Sequence, residues 1–382
     1  MAIERMASDP VDMTTSQSPD DQLDNEIIEV LSEFQEADVQ MQEDGSALLG
    51  PEPEMGMTTE FNENLAEVVS DSELSKIYLD LTGAIDSDRS AREDWEKTYT
   101  DGLKYLGMKF DETRSEPFEG ASGVTHPLLG EAVTQFQAQA YKELLPAGGP
   151  VKTQVVGAYD SVVEEQAQRV REFMNYEIVH VMQEYDEDLD QMLFYLPLAG
   201  SAFKKVYYDE NLQRPVSKFV APEDLIVPYY TTDLESCPRI THVIKMSDND
   251  VRKLQAIGFY KKFDMQPDDD ANDYSSLNTE KEKLEGMEPS YDTGEVCMLY
   301  EIHCNLDLEG FEDRDENGEE SGVKLPYIVT IDSNTENVLS IRRNFKEEDP
   351  MRTKIEYFVH FKFLPGLGFY GFGLSHMIGG LS

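Results

Sequence analysis

The sequence predicts an α+β fold, and three observations lead to that prediction. Apolar residues recur every three or four positions over residues 74–196, which is the spacing of amphipathic helices. From residue 201 to 362 the pattern changes to short runs rich in Val, Ile, Tyr and Phe, which indicates strands. Residues 1–75 differ from both, with 20 acidic residues and one base, Arg5, for a net charge of −19. We therefore expect helices, then small sheets of mixed or antiparallel strands, behind an acidic N-terminal arm.

The acidic arm, taken as residues 1–64, is too poor in large apolar side chains to form a core. A segment of low hydrophobicity and high net charge does not bury enough apolar surface to offset its ordering entropy. We expect this arm to be disordered and dispensable for folding, with order beginning near Leu65.

Four helices are expected after the arm. The first presents one apolar face, which comprises Leu74, Ile77, Leu81 and Ile85. The second contains Trp95. The third is expected to be capped by Thr125, with Pro127 in its first turn, where the missing N–H of proline costs nothing. The fourth is expected to run without a break from Val162 to Leu196, where Pro197 ends it.

The strands are expected in two groups separated by a helix and a loop. They lie at 201–209, 215–222 and 240–247, and then at 295–308, 324–332, 338–345 and 355–364. Ser247, followed by Asp250, has the pattern of a capped helix start. Residues 264–292 are acidic and polar and are expected to form a mobile surface loop.

The charge of the chain restricts its partners. The sequence has 32 Lys and Arg against 77 Asp and Glu, a net charge of −45, of which −26 remains outside residues 1–75. Affinity for phosphate backbones depends on basic side chains, so tight binding to nucleic acid or anionic lipid is not expected. Three cysteines indicate a reducing compartment, and no secretory signal is recognised near residue 1, so synthesis in a cytoplasm is expected.

Two motifs have partial similarity to ligand sites. Gly366-x-Gly368-x-x-Gly371 is followed by too few residues for a dinucleotide-binding unit. Asp313-x-Asp315-x-Asn317-Gly318 matches the start of a calcium loop, but position twelve is Lys324 rather than Glu. Asn317–Gly318 instead favours the tip of a β-hairpin.

No catalytic residue, cofactor site or metal ligand is identified. Asp186 and Asp190 share a helix face, and a solvated acidic face is favoured over a metal or acid–base site. The six histidines show no metal-ligand spacing, and His303 and Cys304 point to opposite faces of a strand. The apolar stretch 358–381 contains too many Gly and polar residues to span a bilayer.

An acid-rich run between residues 305 and 320 is the best candidate for contact with a partner. So many carboxylates are not accepted in a protein interior, so we expect the tip of this β unit to face a partner. The candidate contact residues are Glu309, Glu312, Asp313, Arg314, Asp315 and Glu316.

Residues 88–157 contain a recognisable set of elements. They are a helix with Arg92 and Trp95, a stop at Leu103–Gly107, a Pro117-Phe118-x-Gly120-Ala121 loop, a helix opening at His126-Pro127-Leu128, and the Glu143–Pro150 turn. This block resembles the N-terminal wing region of portal (head–tail connector) proteins of tailed bacteriophages. Weaker similarity lies in APEDLIVPYY, near residue 225, and in FYGFGLSHMIGGLS, from residue 369.

The resemblance implies a ring of twelve copies at one capsid vertex of the virion. Such a ring docks the terminase large subunit and later the tail adaptor proteins, contacts the major capsid or scaffold protein, and passes double-stranded DNA without binding it tightly. It also implies a wing at 65–246, a stem-like helix and acidic loop at 247–292, a clip-like β domain at 293–362, and a second stem helix from 363.

In family members the second stem helix continues beyond the position that matches Ser382. The product ending at Ser382 is therefore expected to be monomeric or loosely associated, with several apolar side chains left uncovered. They are Phe369, Tyr370, Phe372, Leu374, Met377 and Ile378.

Two alternatives belong to other functional classes. One is an acidic, non-enzymatic interaction protein, either a scaffold or a DNA mimic, which the charge alone suggests. A DNA mimic needs its acids on one folded face, whereas much of the charge here lies in segments expected to be disordered. The other is an enzyme whose active site has no recognisable motif.

Overall fold

The computed structural model divides the chain into two units, Met1–Thr59 and Glu60–Ser382. It describes residues 39–41, 47–49, 60–106, 127–157, 160–209, 211–263, 276–285, 296–314, 319–335 and 337–378. In the first unit, Val39–Met41 (β1) pairs antiparallel with Ala47–Leu49 (β2). The rest of the acidic arm up to residue 59 lies outside the described residues.

The second unit begins with the predicted helices. Asp71–Ala91 (α1) is capped by Ser70, whose side chain accepts a hydrogen bond from the Glu73 N–H. The predicted apolar face of α1 is confirmed, because Leu74, Ile77, Leu81 and Ile85 are all buried. Glu93–Lys104 (α2) and Leu128–Leu144 (α3) follow. Pro127, expected in the first turn of α3, lies directly before that helix at the N-cap position. Thr125 and the loop of the portal-like block lie outside the described residues.

The prediction of one unbroken fourth helix is wrong. Ser161–Tyr176 (α4) continues into a π-helical turn, Glu177–Val181, and the backbone leaves the helical conformation at Met182. A second helix, Tyr185–Ala199 (α5), then contains Pro197 in its last turn. The helix ends at Gly200, whose φ of 85° is the left-handed conformation that glycine adopts at helix ends.

The strands that the structure describes in the second unit belong to two antiparallel sheets, so the predicted α+β class is confirmed. The first sheet contains Ser201–Asp209 (β3), Arg214–Val220 (β4) and, far along the chain, Phe358–Lys362 (β10). Its order is β10-β3-β4. The second contains Leu225–Ile226 (β5), Arg239–Ser247 (β6), Val296–Leu306 (β7), Leu325–Asp332 (β8) and Val338–Arg343 (β9), in chain order.

The segments expected to form a 65–246 domain and a 293–362 domain share both sheets of the second unit. Strand β6 pairs with β7 along its full length, from Arg239 opposite Cys304 to Ser247 opposite Val296. Strand β10 pairs with β3, with Phe358 opposite Lys205. Each sheet therefore takes strands from both segments, and the backbone hydrogen bonds of the sheets join them into one unit.

The segment expected to form a stem-like helix and a loop, 247–292, packs on this body. Asp248–Ala256 (α6) is capped by Ser247 as predicted, but its Val251 is fully buried against Cys297 and Leu339 of the second sheet. A helix that was not predicted, Ser276–Glu285 (α7), lies inside the expected loop and buries Leu277 in a cluster with residues of α2. Residues 264–275 and 286–295 lie outside the described residues.

A second stem helix is expected from residue 363, but residues 364–373 run irregularly past the end of α5. Leu374–Ile378 (α8) is helical, and residues 379–382 lie outside the described residues. Gly371 packs directly against the end of α5, where an added Cβ would clash with the Gly200 carbonyl oxygen. Phe369 is buried in the core rather than uncovered, whereas Phe372 and Met377 are exposed as expected.

The ordered body begins before Leu65, because Asn64 closes the free edge of the second sheet at β9. Its side-chain amide donates to the Leu339 carbonyl oxygen at 3.0 Å and accepts from the Ile341 N–H at 3.0 Å. Arg343 also holds the chain by donating to the Phe61 carbonyl oxygen at 2.8 Å. Residues 60–64, which were expected to belong to the dispensable arm, therefore contact the folded body.

We expect Asn64→Ala to lower the free energy of unfolding by about 2 kcal/mol, because it leaves two buried backbone groups unpaired. Urea titration of the full chain measures this change, with Asn62→Ala, at an exposed neighbouring position, as the control. Deletion of residues 1–59 should leave the urea midpoint of unfolding unchanged, and deletion of residues 1–64 should lower that midpoint. Equal midpoints for the two deletions would contradict this role of Asn64.

Candidate functional site

The acid-rich loop between β7 and β8 is anchored at its base, and its described residues beyond the base are exposed or half-buried. Leu308 is buried in the main core and Phe311 packs against the same cluster. Between them, Gly310 has a φ of 86°, which lets the loop turn sharply. The backbone N–H of Glu309 donates to a Glu73 carboxylate oxygen at 3.0 Å, which fixes the loop against α1.

The candidate contact residues of this loop have different environments. Glu309 and Arg314 are exposed, whereas Glu312 and Asp313 are half-buried. The Gly310 N–H donates to Glu312 at 2.7 Å and lowers the pKa of that carboxyl. Asp313 forms an ion pair with Arg352 and accepts a hydrogen bond from Ser321. Asp315 and Glu316 lie outside the described residues, as does the predicted Asn317–Gly318 turn.

These carboxylates do not converge on a metal position. Within the described residues, no group of three or more His, Cys, Asp or Glu side chains is arranged to hold a metal ion. Asp313, the first residue of the calcium-like motif, is instead paired with an arginine. The loop therefore presents negative charge on a fixed base, which suits contact with a basic protein surface.

A second cluster surrounds Arg92, which sequence analysis had singled out together with Trp95. The Arg92 guanidinium donates to the carbonyl oxygens of Glu223 and Leu225, the latter at 2.9 Å, and pairs with Glu96 at 2.7 Å. The Trp95 ring stacks on the ring of Tyr370, with centroids 4.4 Å apart.

Tyr370 completes the Arg92 cluster. Its hydroxyl accepts from Arg92 at 3.2 Å and donates to the Leu225 carbonyl oxygen at 3.0 Å. Burial raises the pKa of this phenol, which therefore remains a neutral donor. Three segments far apart in sequence, at 92–95, 222–225 and 369–370, meet in this one buried cluster.

A third cluster joins the two sheets and was missed by the sequence analysis. The Glu301 carboxylate on β7 accepts from the Lys205 ammonium on β3 at 2.5 and 2.7 Å. It also lies 2.9 Å from Nε2 of His303 and directly across the sheet from His242. The nearby positive charge of Lys205 helps to hold the pKa of Glu301 well below its usual range. The sequence feature that could have indicated this cluster was a Glu and a His two residues apart in an otherwise apolar strand.

We expect the protein to lose stability as the pH falls below 6.5. Burial lowers the pKa of His242 to about 4 and that of His360 to about 3, so both are neutral in the folded state. An unfolded histidine takes up its proton near pH 6.5, so the stability present above this pH is lost as the pH falls. The loss at pH 5.5 is about 1.4 kcal/mol per histidine.

Urea titrations of the wild type and His242→Leu at pH 7.5 and 5.5 measure this pH dependence. The variant should lose less stability between the two pH values than the wild type does. His180→Leu, at an exposed position, is the control and should keep the wild-type difference. If His242→Leu lost as much stability between pH 7.5 and 5.5 as the wild type, His242 would not be a source of the pH dependence.

The other titratable residues singled out by sequence have structural contacts. Asp186 accepts from the Tyr141 hydroxyl at 2.5 Å and Asp190 from the Gln137 amide at 2.8 Å, so this acidic face holds α5 to α3. Both carboxylates are exposed, which agrees with the expected solvated acidic face. Cys304 is buried, and burial raises its thiol pKa to about 12.

No family model and no curated protein matches this sequence. Among the described residues, no helix combines the length and apolar character that crossing a bilayer requires.

Proposed function

We propose that this chain is a structural subunit of a bacteriophage portal ring, located at one capsid vertex of the virion. The ring would pass DNA during packaging and ejection. It would dock the terminase large subunit and later the tail adaptors, and contact the major capsid or scaffold protein. The proposal rests on the resemblance of residues 88–157 and on one structural observation.

That observation is the convergence of the portal-like segments on Arg92. The segment with Arg92 and Trp95 carries the strongest resemblance, while the APEDLIVPYY and FYGFGLSHMIGGLS segments carry weaker ones. Arg92 bonds to the second segment through Leu225 and to the third through Tyr370. Three segments that resembled the family only by chance would not be expected to pack together. Their contact therefore supports the proposal that they form the core shared with that family.

The charge of the chain suits the same role. With a net charge of −45, the surface repels phosphate and favours sliding of DNA over binding. In this proposal the acid-rich loop is the docking surface for the terminase large subunit, because its Glu309 and Glu312 offer charge to basic side chains. Salt should weaken that contact.

Negative-stain electron microscopy of the full-length gene product tests the proposal. We expect rings of twelve copies with a central hole. Single particles without a ring, together with tight binding to basic proteins, would instead favour the acidic interaction protein.

We expect Glu309→Lys combined with Glu312→Lys to weaken binding to the cognate terminase large subunit by tenfold or more, since two attractive contacts become repulsive. Biolayer interferometry measures the affinity. Glu143→Lys with Glu165→Lys changes the net charge equally at exposed positions elsewhere and is the matched control. Equal losses in both double variants would show a general charge effect and contradict docking at the loop.

A further inference from the structure

Helix α4 differs from the other long helices because none of its residues is buried. It extends over Ser161–Tyr176 and exposes large apolar side chains, including Phe173 at 63% of its surface. Isolated helices of about 15 residues are marginal in water, and most helical stability in proteins comes from packing of an apolar face. The exposed apolar face of α4 therefore lacks the packing that usually stabilises such a helix.

The apolar residues of α4 have the spacing of a coiled coil. Val163, Ala167, Val170 and Met174 are separated by four, three and four positions, and together we call them the α4 seam. Val163, Val170 and Met174 are exposed by 39%, 51% and 43%. Ala167 is half-buried, and its carbonyl oxygen accepts from the Thr153 hydroxyl at 3.1 Å.

The charges beside the seam identify a partner that fits it. Glu164 and Arg171 are seven positions apart, so they flank the same side of the seam, and both are exposed. When two copies of α4 pack antiparallel, the residues on one flank of the seam face the residues on the same flank of the other helix. Glu164 then lies opposite Arg171 of the second copy, and Arg171 lies opposite its Glu164.

The same antiparallel alignment also matches the apolar residues by size. It places Ala167 opposite Val170 of the second copy and Val163 opposite Met174. A parallel pair would bring Glu164 and Arg171 beside the other flank, where Gln166 and Phe173 provide no opposite charge.

We propose that α4 pairs antiparallel with α4 of a second copy of this chain through the α4 seam. The contact is isologous, so it closes at two copies and differs from the head-to-tail contact that builds a ring. The interface is small compared with stable dimers, so the association should be reversible and dependent on concentration. This inference is independent of the proposed portal function.

Sedimentation velocity over a concentration series of the full chain at low salt tests the pairing. We expect a monomer–dimer equilibrium, and if rings form, pairing appears as a doubling of the ring mass. Glu164→Arg alone, or Arg171→Glu alone, should weaken association roughly tenfold, because both symmetric contacts become like-charged. Mixing the two single variants should restore association, since every flank again meets an opposite charge.

The controls separate pairing from general effects on the helix. Glu165→Arg makes the same charge change as Glu164→Arg on the outer face of α4 and should leave association unchanged. Val170→Ser, in the α4 seam, should weaken it without changing the melting temperature, because the side chain is exposed in the single chain. A chain that remains monomeric throughout, or a mixture that associates no better than its components, would overturn the proposal.

Discussion

Arg92→Met is expected to lower the free energy of unfolding by about 4 kcal/mol, the largest effect of any single substitution considered. The guanidinium is buried and donates to Leu225, Glu223 and Tyr370, while it pairs with Glu96. Methionine retains most of the volume and none of the donors. The buried carbonyl oxygens would lose their partners, and the penalty for such groups exceeds the average value of a hydrogen bond.

Urea titration at pH 7.5 measures this effect, with two further variants for comparison. Arg92→Lys keeps the charge but lacks the planar fork that reaches several oxygens at once, so it should lose most of the same stability. Arg169→Met makes the same chemical change at an exposed position and should have little effect. A loss below 1 kcal/mol in Arg92→Met would show that the cluster around Arg92 does not hold these segments together.

Features set by neighbouring residues were predictable from the sequence. The apolar face of α1 and the Ser247 cap of α6 depend on residues within a few positions, and both agree with the structure. The bounds of β3 also agree, because the alternating pattern of 201–209 begins directly after Gly200.

Features set by distant partners were not predictable in the same way. The pairing of β6 with β7 crosses a segment of low apolar content, so a domain boundary there was the simpler interpretation. Helix α7 was missed because its contact with the body depends on few apolar residues, chiefly Leu277 and Leu284. Lys205 and Glu301 are 96 positions apart, and neither residue indicates the other in the sequence.

The structural role of the portal-like motif also depends on distant partners. Arg92 and Trp95 were singled out as a motif, but their contacts with Leu225 and Tyr370 required the fold. Helix α4 is the opposite case, because the sequence predicted the helix but did not indicate what its apolar face contacts. Only its exposure shows that these side chains are available to another chain.

Glu301→Gln is expected to lower the free energy of unfolding by about 3 kcal/mol, the second-largest effect. The side chains of Lys205 and Glu301 are only 15% and 17% exposed, so water replaces little of the lost interaction. Glutamine keeps the shape of the side chain but leaves the Lys205 ammonium without a counter-charge. The same ammonium then faces His303 and His242, where no other carboxylate of the cluster remains to balance it.

The double variant Lys205→Met with Glu301→Met tests whether the unpaired charge is the cause. Removing both charges should lower the free energy of unfolding less than Glu301→Gln does. The double variant leaves no lysine without a counter-charge between the sheets. Glu309→Gln, at an exposed carboxylate, controls for the loss of one negative charge and should have little effect. If the double variant were less stable than Glu301→Gln, the ion pair itself would hold the two sheets together. If the double variant is more stable, the electrostatic penalty of a lone lysine accounts for the loss, and apolar contacts hold the sheets.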